Sequence, residues 1–261
     1  MFEAYGMGRR IAPALQRRAL ERERRAYEAA GVVICMCAWA AESVIHDYGI
    51  DPARVHVVPG GGNLDEAALA ALPPDPLPPP PSPGEPLRLG FVGKEWRRKG
   101  GPFLLRLAEA LAERGIPAVV RAIGPAPQDL PAHAALEPLG FINKLTDTGR
   151  FVREVRSWHF GLLFSEAEAA PRSNLECLRL GVPVLSHQVG GIASTVPDAG
   201  CGMLFHPHPE PAEVAAWIAD RLDPYPAYLS WRQHLVEREA EFTWAAAMAR
   251  LGPLLRNEGA G

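Results

Sequence analysis

Short apolar runs of strand length alternate with longer stretches of helical spacing along this chain. Residues 9 to 30, rich in Arg, Ala, Leu and Glu, read as a helix that Gly31 ends, and Val32 to Ala38 read as a buried strand. Ser43 to Tyr48 suggests a short helix stopped by Gly49, and Val55 to Val58 a further strand closed by Pro59 and the glycines 60 to 62. Residues 73 to 86, PPDPLPPPPSPGEP, hold nine prolines in fourteen positions and predict an extended, semi-rigid linker rather than packed structure.

A fuller alternation begins at Leu87. Strand 87–92 leads into a Lys/Arg loop, and Pro102 opens helix 102–114, which Gly115 ends. Strand 118–123 is followed by a turn-rich stretch reaching Gly140. Helix 147–157, strand 159–164, helix 173–180, strand 183–186 and strand 202–205 come next, and helical patterns near 210–222, 226–239 and 244–256 close the chain. Strands alternating with helices predict an α/β fold, a Rossmann-like parallel sheet with helices on both faces. Ligands of such sheets bind at the carboxyl ends of the strands. The N-terminal segment carries only two strands with their helices, which cannot bury both sheet faces alone. The expectation is a partial N-terminal α/β segment whose remainder is missing or supplied by something else. The expected division is 1–72 for that segment, 73–86 for the linker, 87–240 for the main domain and 241–261 for a terminal helix packing back toward the N-terminal segment.

The net charge of −3 argues against a nucleic-acid binder working by bulk electrostatics. Cys35, Cys37, Cys177 and Cys201 form no CxxC pair and no Cys/His metal spacing, so they read as buried thiols in a reducing compartment. His206 and His208 lack a third ligand at a convincing spacing, and no metal site is expected. Met1 to Arg10 has no apolar core of a signal peptide, and the longest apolar run, Gly31 to Ala41, is too short to span a bilayer. A cytoplasmic protein is expected. Peripheral contact with the inner membrane face through Arg9, Arg10, Arg17 and Arg18 is the alternative placement.

Two strand-end loops carry the chemistry. Only three of the 27 basic residues are lysines (Lys94, Lys99 and Lys144), and two of them share the loop after strand 87–92. An ammonium is a compact charge suited to phosphate, so Lys94 and Lys99 are the expected phosphate contacts, with Arg97 and Arg98 solvated. Gly93 allows a tight exit from the strand, and the loop is neither a Walker sequence nor GxGxxG. In the second loop, Glu168 follows strand 159–164 at the presumed ligand edge and is better placed than Glu166. Ser173 reads as an N-cap with Glu176 completing a capping box. The same helix start offers backbone amides and a positive dipole end to a diphosphate, and Glu176 a carboxylate to ribose hydroxyls. Gly190-Gly191 reads as turn chemistry and His187 as structural.

LGFVGKEWRRKGG (89–101), GFINK (140–144) and SEAEAAPRSNLECLRLGVPVLSHQVGG (165–191), in that order, resemble the C-terminal half of the family-four retaining glycosyltransferases of the GT-B fold. YGIDPARVHVVPGG (48–61) resembles the end of that family's N-terminal domain. The resemblance implies that Glu168 and Glu176 are the family's paired glutamates, the first toward the donor sugar and the second toward the nucleotide ribose. It implies that Lys94 and Lys99 hold the diphosphate, that the backbone at Ile142 reads the base, and that Asn174 and Leu175 offer amides near the phosphates. The implied activity is transfer of a sugar from a UDP- or GDP-sugar to the hydroxyl of a glycan or small-molecule acceptor, with no metal and no further cofactor. Pro171 stands where the family commonly has glycine, the proline stretch where it has a short hinge, and most of its N-terminal domain has no counterpart before Met1. A donor-binding module that needs a separate N-terminal chain, and an interaction protein with a degenerate site, are the other readings.

Overall fold

A computed structural model describes residues 11–73 and 76–256. Arg9 and Arg10, two of the arginines named for membrane contact, lie outside the described residues, while Arg17 and Arg18 are exposed on the first helix.

The N-terminal segment folds as α1 (Pro13–Ala29), β1 (Val33–Cys35), α2 (Ala38–His46) and β2 (Val55–Val57), with β1 and β2 paired in parallel. Val33, Cys35, Ala41, Val44 and Ile50 form its small core. Arg54 caps the end of α1 by donating to the carbonyls of Tyr27, Glu28 and Ala30. α1 buries no side chain of its own. A short helix, α3 (Glu66–Ala70), follows, and the Asp65 side chain caps it through the amides of Ala67 and Ala68.

The main domain carries six parallel strands: β3 (Leu87–Val92), β4 (Ala118–Ile123), β5 (Leu136–Gly140), β6 (Phe160–Leu163), β7 (Val184–His187) and β8 (Gly202–Phe205). Their spatial order is β5-β4-β3-β6-β7-β8, so the winding reverses between β3 and β6. α4 (Gly101–Glu113), α7 (Pro211–Leu222) and α8 (Tyr225–Glu237) supply one apolar layer, with Leu104, Leu107, Leu111, Val214, Ile218 and Tyr228 against Leu87, Leu89, Phe91 and Phe160. α5 (Thr148–Arg156) and α6 (Arg172–Arg179) cover the other face through Phe151, Val152, Val155, Cys177 and Leu178. Period-two alternation explains the division: Leu87, Leu89 and Phe91 face the first layer, and Gly90 between them admits the Trp158 ring on the second. A Cβ at Gly90 would lie 1.7 Å from that ring.

The sequence reading missed strand β5 and the short α3, carried the first strand through Ala38 where α2 already begins, and misjudged the proline-rich segment. β5 lay hidden in the turn-rich stretch because Pro138 interrupts it; an edge strand tolerates proline, and β5 is the edge of the sheet. The proline-rich stretch is anchored at Pro78 and Pro79 rather than free, although most of its described residues are exposed. The Tyr225 hydroxyl donates to the carbonyls of Pro78 (2.6 Å) and Pro79 (3.0 Å), and Pro78 is buried. The buried His159 ring bonds both ways: its Nδ1 accepts from the Arg88 amide at 3.0 Å, and its Nε2 lies 2.9 Å from the Pro79 carbonyl. That pattern requires the neutral ring with its proton on Nε2. The last helix, α9 (Trp244–Arg256), lies against the N-terminal segment, where Trp244 Nε1 donates to Asn63 Oδ1 at 3.0 Å and Arg250 to the Pro59 carbonyl at 3.2 Å.

Candidate active site

The reversal between β3 and β6 opens a crevice at the carboxyl ends of the strands, the place where parallel sheets of this kind hold ligands. The loop after β3 reaches it through Gly100, whose φ of +87° is the left-handed conformation that starts α4. A Cβ there would strike the Phe164 carbonyl at 2.2 Å, so glycine is what lets this loop close onto the end of β6. The Lys99 stem lies across Gly93, where a Cβ would meet its Cδ at 2.3 Å.

Lys99 and Glu168, drawn from separate loops, meet at 2.6 Å with side chains 17% and 9% exposed. Ser165 Oγ donates to the same Glu168 oxygen at 3.2 Å, and Arg98 lies 3.4 Å from it. The expectation of a solvated Arg98 is therefore corrected. Its guanidinium also donates to the Ala167 carbonyl at 2.7 Å and pairs with Glu95 at 2.5 Å, holding the 165–168 loop to the Lys/Arg loop. Arg97 and Glu166 are exposed. The 165–170 loop is held from behind by Gly190-Gly191: the Gly191 amide donates to the Glu168 carbonyl at 2.9 Å, and a Cβ on Gly191 would lie 1.7 Å from the Ala169 carbonyl. The glycine pair is thus a close-approach device as well as a turn. His187 Nε2 sits 2.9 Å from the Ser165 carbonyl, and burial holds its pKa below the ordinary histidine value.

Glu176 lies deeper. It is 1% exposed on the first turns of α6, and Lys144 Nζ meets its Oε2 at 2.5 Å. Oε1 has no hydrogen-bond partner among the described residues, and the Asn63 backbone amide lies on the carboxylate's side. Burial raises the pKa of Glu176, and Lys144, the Asn63 amide and Arg172 oppose the rise. The expected capping box is not formed. α6 starts at Arg172 with Pro171 as its N-cap and no side-chain cap, so Ser173 stands inside the helix, its hydroxyl buried without a partner among the described residues. Asn174 is spent on structure, donating to Ser186 (3.3 Å) and Thr195 (3.0 Å) to fix the helix start to β7. Leu175 is buried beneath Gly62, where a Cβ would lie 3.2 Å from the Leu175 carbonyl.

The Ile142 side chain is in the core, so only its backbone can face the crevice. Lys94 is exposed, with its ammonium 5.7 Å from the centre of the Phe141 ring. Sequence reading assigned no role to Lys144. The signal for it was the lysine count: all three lysines stand on loops at the carboxyl edge of one sheet. Among the described residues no group of three or more His, Cys, Asp or Glu side chains is arranged to hold a metal, and no helix is long and apolar enough to cross a membrane.

The family model described as Glycosyl transferases group 1 matches residues 86–223, more than half of the chain, and so spans both loops of the crevice. The chain belongs to this family. A second model, Glycosyltransferase Family 4, matches residues 4–66. Among relatives of this group 1 glycosyltransferase is D-inositol 3-phosphate glycosyltransferase 2 of Catenulispora acidiphila, 30% identical over 250 residues, which cover 87% of this chain and 56% of that protein. D-inositol 3-phosphate glycosyltransferase of Nocardia farcinica is 30% identical over 241 residues, 82% of this chain and 49% of that protein. The chain thus spans about half the length of the curated relatives it matches. Among solved structures, Anabaena Alr3699/HepE in complex with UDP and glucose superposes with a TM-score of 0.67 at 17% identity, covering 96% of this chain and 69% of that one. Sucrose-phosphate synthase from Thermosynechococcus elongatus gives 0.64 at 20% identity, covering 91% and 61%. These likenesses show the shared fold: the main domain is the Rossmann-like half of a GT-B architecture.

Proposed function

We propose that this protein transfers a sugar from a nucleoside diphosphate sugar to an acceptor hydroxyl, with retention of anomeric configuration and without a metal. The observation that carries the reading is Glu176, a buried carboxylate with one oxygen unpartnered beside an uncapped helix start and the unpartnered Ser173 hydroxyl. Buried acceptors and donors without partners are rare in folded proteins and suit a polar ligand that completes them. The ribose hydroxyls donate to Glu176, and the diphosphate meets the first-turn amides of α6, Asn174 and Leu175 included. Lys99 and Lys94 neutralise charge growing on the departing β-phosphate, which is the work a divalent ion does elsewhere. Glu168 aligns Lys99 and lines the sugar side of the crevice, Gly93 admits the Lys99 stem, and the backbone at Ile142 meets the base. UDP, present in the solved HepE complexes, is the first nucleotide to test, with GDP second.

A second reading is a donor-binding module that transfers only with a separate N-terminal lobe. It draws on α1, which buries no side chain, and on the two-stranded N-terminal sheet. The test is proton NMR of the anomeric signal when the protein is given UDP-glucose and an acceptor alcohol. An α-configured product from the α-donor is expected, and a β-configured product refutes retention.

A further inference from the structure

Lys144 belongs to a loop built before any ligand arrives. The Asn143 side chain accepts from the Leu145 amide at 3.0 Å, the Asp147 amide donates to the Asn143 carbonyl at 2.8 Å, and the Thr148 hydroxyl donates to the Lys144 carbonyl at 2.6 Å. The ammonium lies 4.8 Å from the centre of the Phe151 ring, and that ring is fully buried in the core beneath. Its direction is therefore set by cation–π attraction and by the 2.5 Å contact with Glu176 Oε2. The carboxylate it holds is 1% exposed, and one oxygen remains unpartnered. An isolated carboxylate at such burial would take up a proton near neutrality, and a protonated carboxyl is a poor acceptor for two ribose hydroxyls. From this geometry we infer that Lys144 is a positioning residue for donor recognition, holding the Glu176 carboxylate by its Oε2 and leaving Oε1 to the ribose diol of the nucleotide.

The charged and titratable groups facing Glu176 are few. Lys144 approaches from the β5–α5 loop, the Asn63 amide from the loop before α3, and Arg172 acts from the same helix. Cys177 is adjacent, and burial first and Glu176 second push its thiol up to about 12, so it stays protonated. Lys144 is the one cation in direct contact with the carboxylate among the described residues, with Arg172 turned instead to Asn63 (3.1 Å) and the Trp244 ring (4.7 Å). Replacing Lys144 by methionine keeps the stem over Phe151 and removes the charge. Glu176 then gains a proton at higher pH than before.

The inference rests on the proposed nucleotide site, and calorimetric titration of the whole 261-residue chain separates the two. UDP and 2′,3′-dideoxy-UDP are titrated at pH 6 and pH 8.5 into wild type, Lys144→Met and Lys144→Arg. The dissociation constant of Lys144→Met for UDP, relative to wild type, is expected to worsen by about tenfold or more at pH 6 and to recover by pH 8.5, since ionisation of one carboxylate now governs binding. Dideoxy-UDP is expected to bind wild type and Lys144→Met alike at both pH values, and Lys144→Arg to restore most of the UDP affinity. Equal weakening for UDP and dideoxy-UDP, or an unchanged pH profile in Lys144→Met, overturns the inference while leaving the nucleotide site standing. Binding of UDP to Lys144→Met as tight as to wild type at pH 6 does the same. Failure of the wild type to bind any UDP overturns the inference and the donor site together.

Discussion

Replacing Lys99 by methionine separates the two tasks assigned to that residue. In the folded protein Lys99 meets Glu168 at 2.6 Å, and the two side chains are 17% and 9% exposed. Breaking a well-buried ion pair by removing one partner costs about 3–5 kcal/mol because a charge is left behind. Here Glu168 keeps Ser165 at 3.2 Å and Arg98 at 3.4 Å, and Lys99 retains some contact with water. The expected loss is therefore smaller, about 2 kcal/mol, the range for a buried acceptor stripped of one charged donor. For a chain of this size that is a fall of about 4–8 °C in Tm. The loss comes from an orphaned charge, so neutralising Glu168 removes its cause. The double variant Lys99→Met/Glu168→Gln is expected to regain most of the Tm. Transfer follows a different course: loss of one cation at the departing phosphate costs roughly 100- to 1,000-fold in kcat, and Glu168→Gln cannot restore it. Thermal melts of the four proteins of this cycle, with initial rates for those that transfer, give the answer. A Tm that the second substitution fails to raise would refute the orphaned-charge account. Full activity in Lys99→Met would refute its role at the leaving group.

Two other expectations are open to measurement. Burial is the main cause lowering the pKa of His159 to about 4, below the 6.5 of an unstrained ring. Between those values the unfolded chain binds the extra proton, so stability is complete above about pH 6.5 and is lost as pH falls toward 4, by up to roughly 3 kcal/mol. Urea denaturation at pH 7 and pH 4.5 measures that slope, and His159→Gln is expected to flatten it; an equal slope in the variant counts against the proline-segment anchor. Gly191→Ala places a Cβ 1.7 Å from the Ala169 carbonyl, so the Glu168 loop must move. A loss of about 1–3 kcal/mol in stability is expected from such overpacking, with faster amide hydrogen exchange confined to 165–170; exchange unchanged there refutes the supporting role of the glycine pair.

What could be read from the chain and what could not divide along a physical line. The alternation from Leu87 onward was legible because each element announces itself locally: strand-length apolar runs, Pro102 at a helix start, and Gly115 and Gly181 at positive φ just after helix ends. The two strand-end loops followed from that alternation, since in a parallel sheet every such loop reaches the same edge. Misses occurred where a contact far along the chain decides the structure. Lys144 and Glu176 are 32 residues apart in sequence, Arg98 and Ala167 are 69 apart, and Tyr225 reaches Pro78 across 147. Proline content predicts an extended backbone correctly and says nothing about a histidine and a tyrosine waiting to bind its carbonyls. The Ser173 capping box failed for a local reason of register: the N-cap is Pro171, two residues before Ser173, which turns Ser173 from a cap into a buried hydroxyl inside the helix.

The central claim is a nucleotide site at the carboxyl edge of the β3–β6 crevice. Calorimetric titration of the protein with UDP, GDP and ADP, with Glu176→Ala as the control, tests it most directly. Saturable binding of one of these nucleotides, abolished by the substitution, is the predicted result. A folded protein that binds none of the three, or binds one equally well after Glu176→Ala, would contradict the claim.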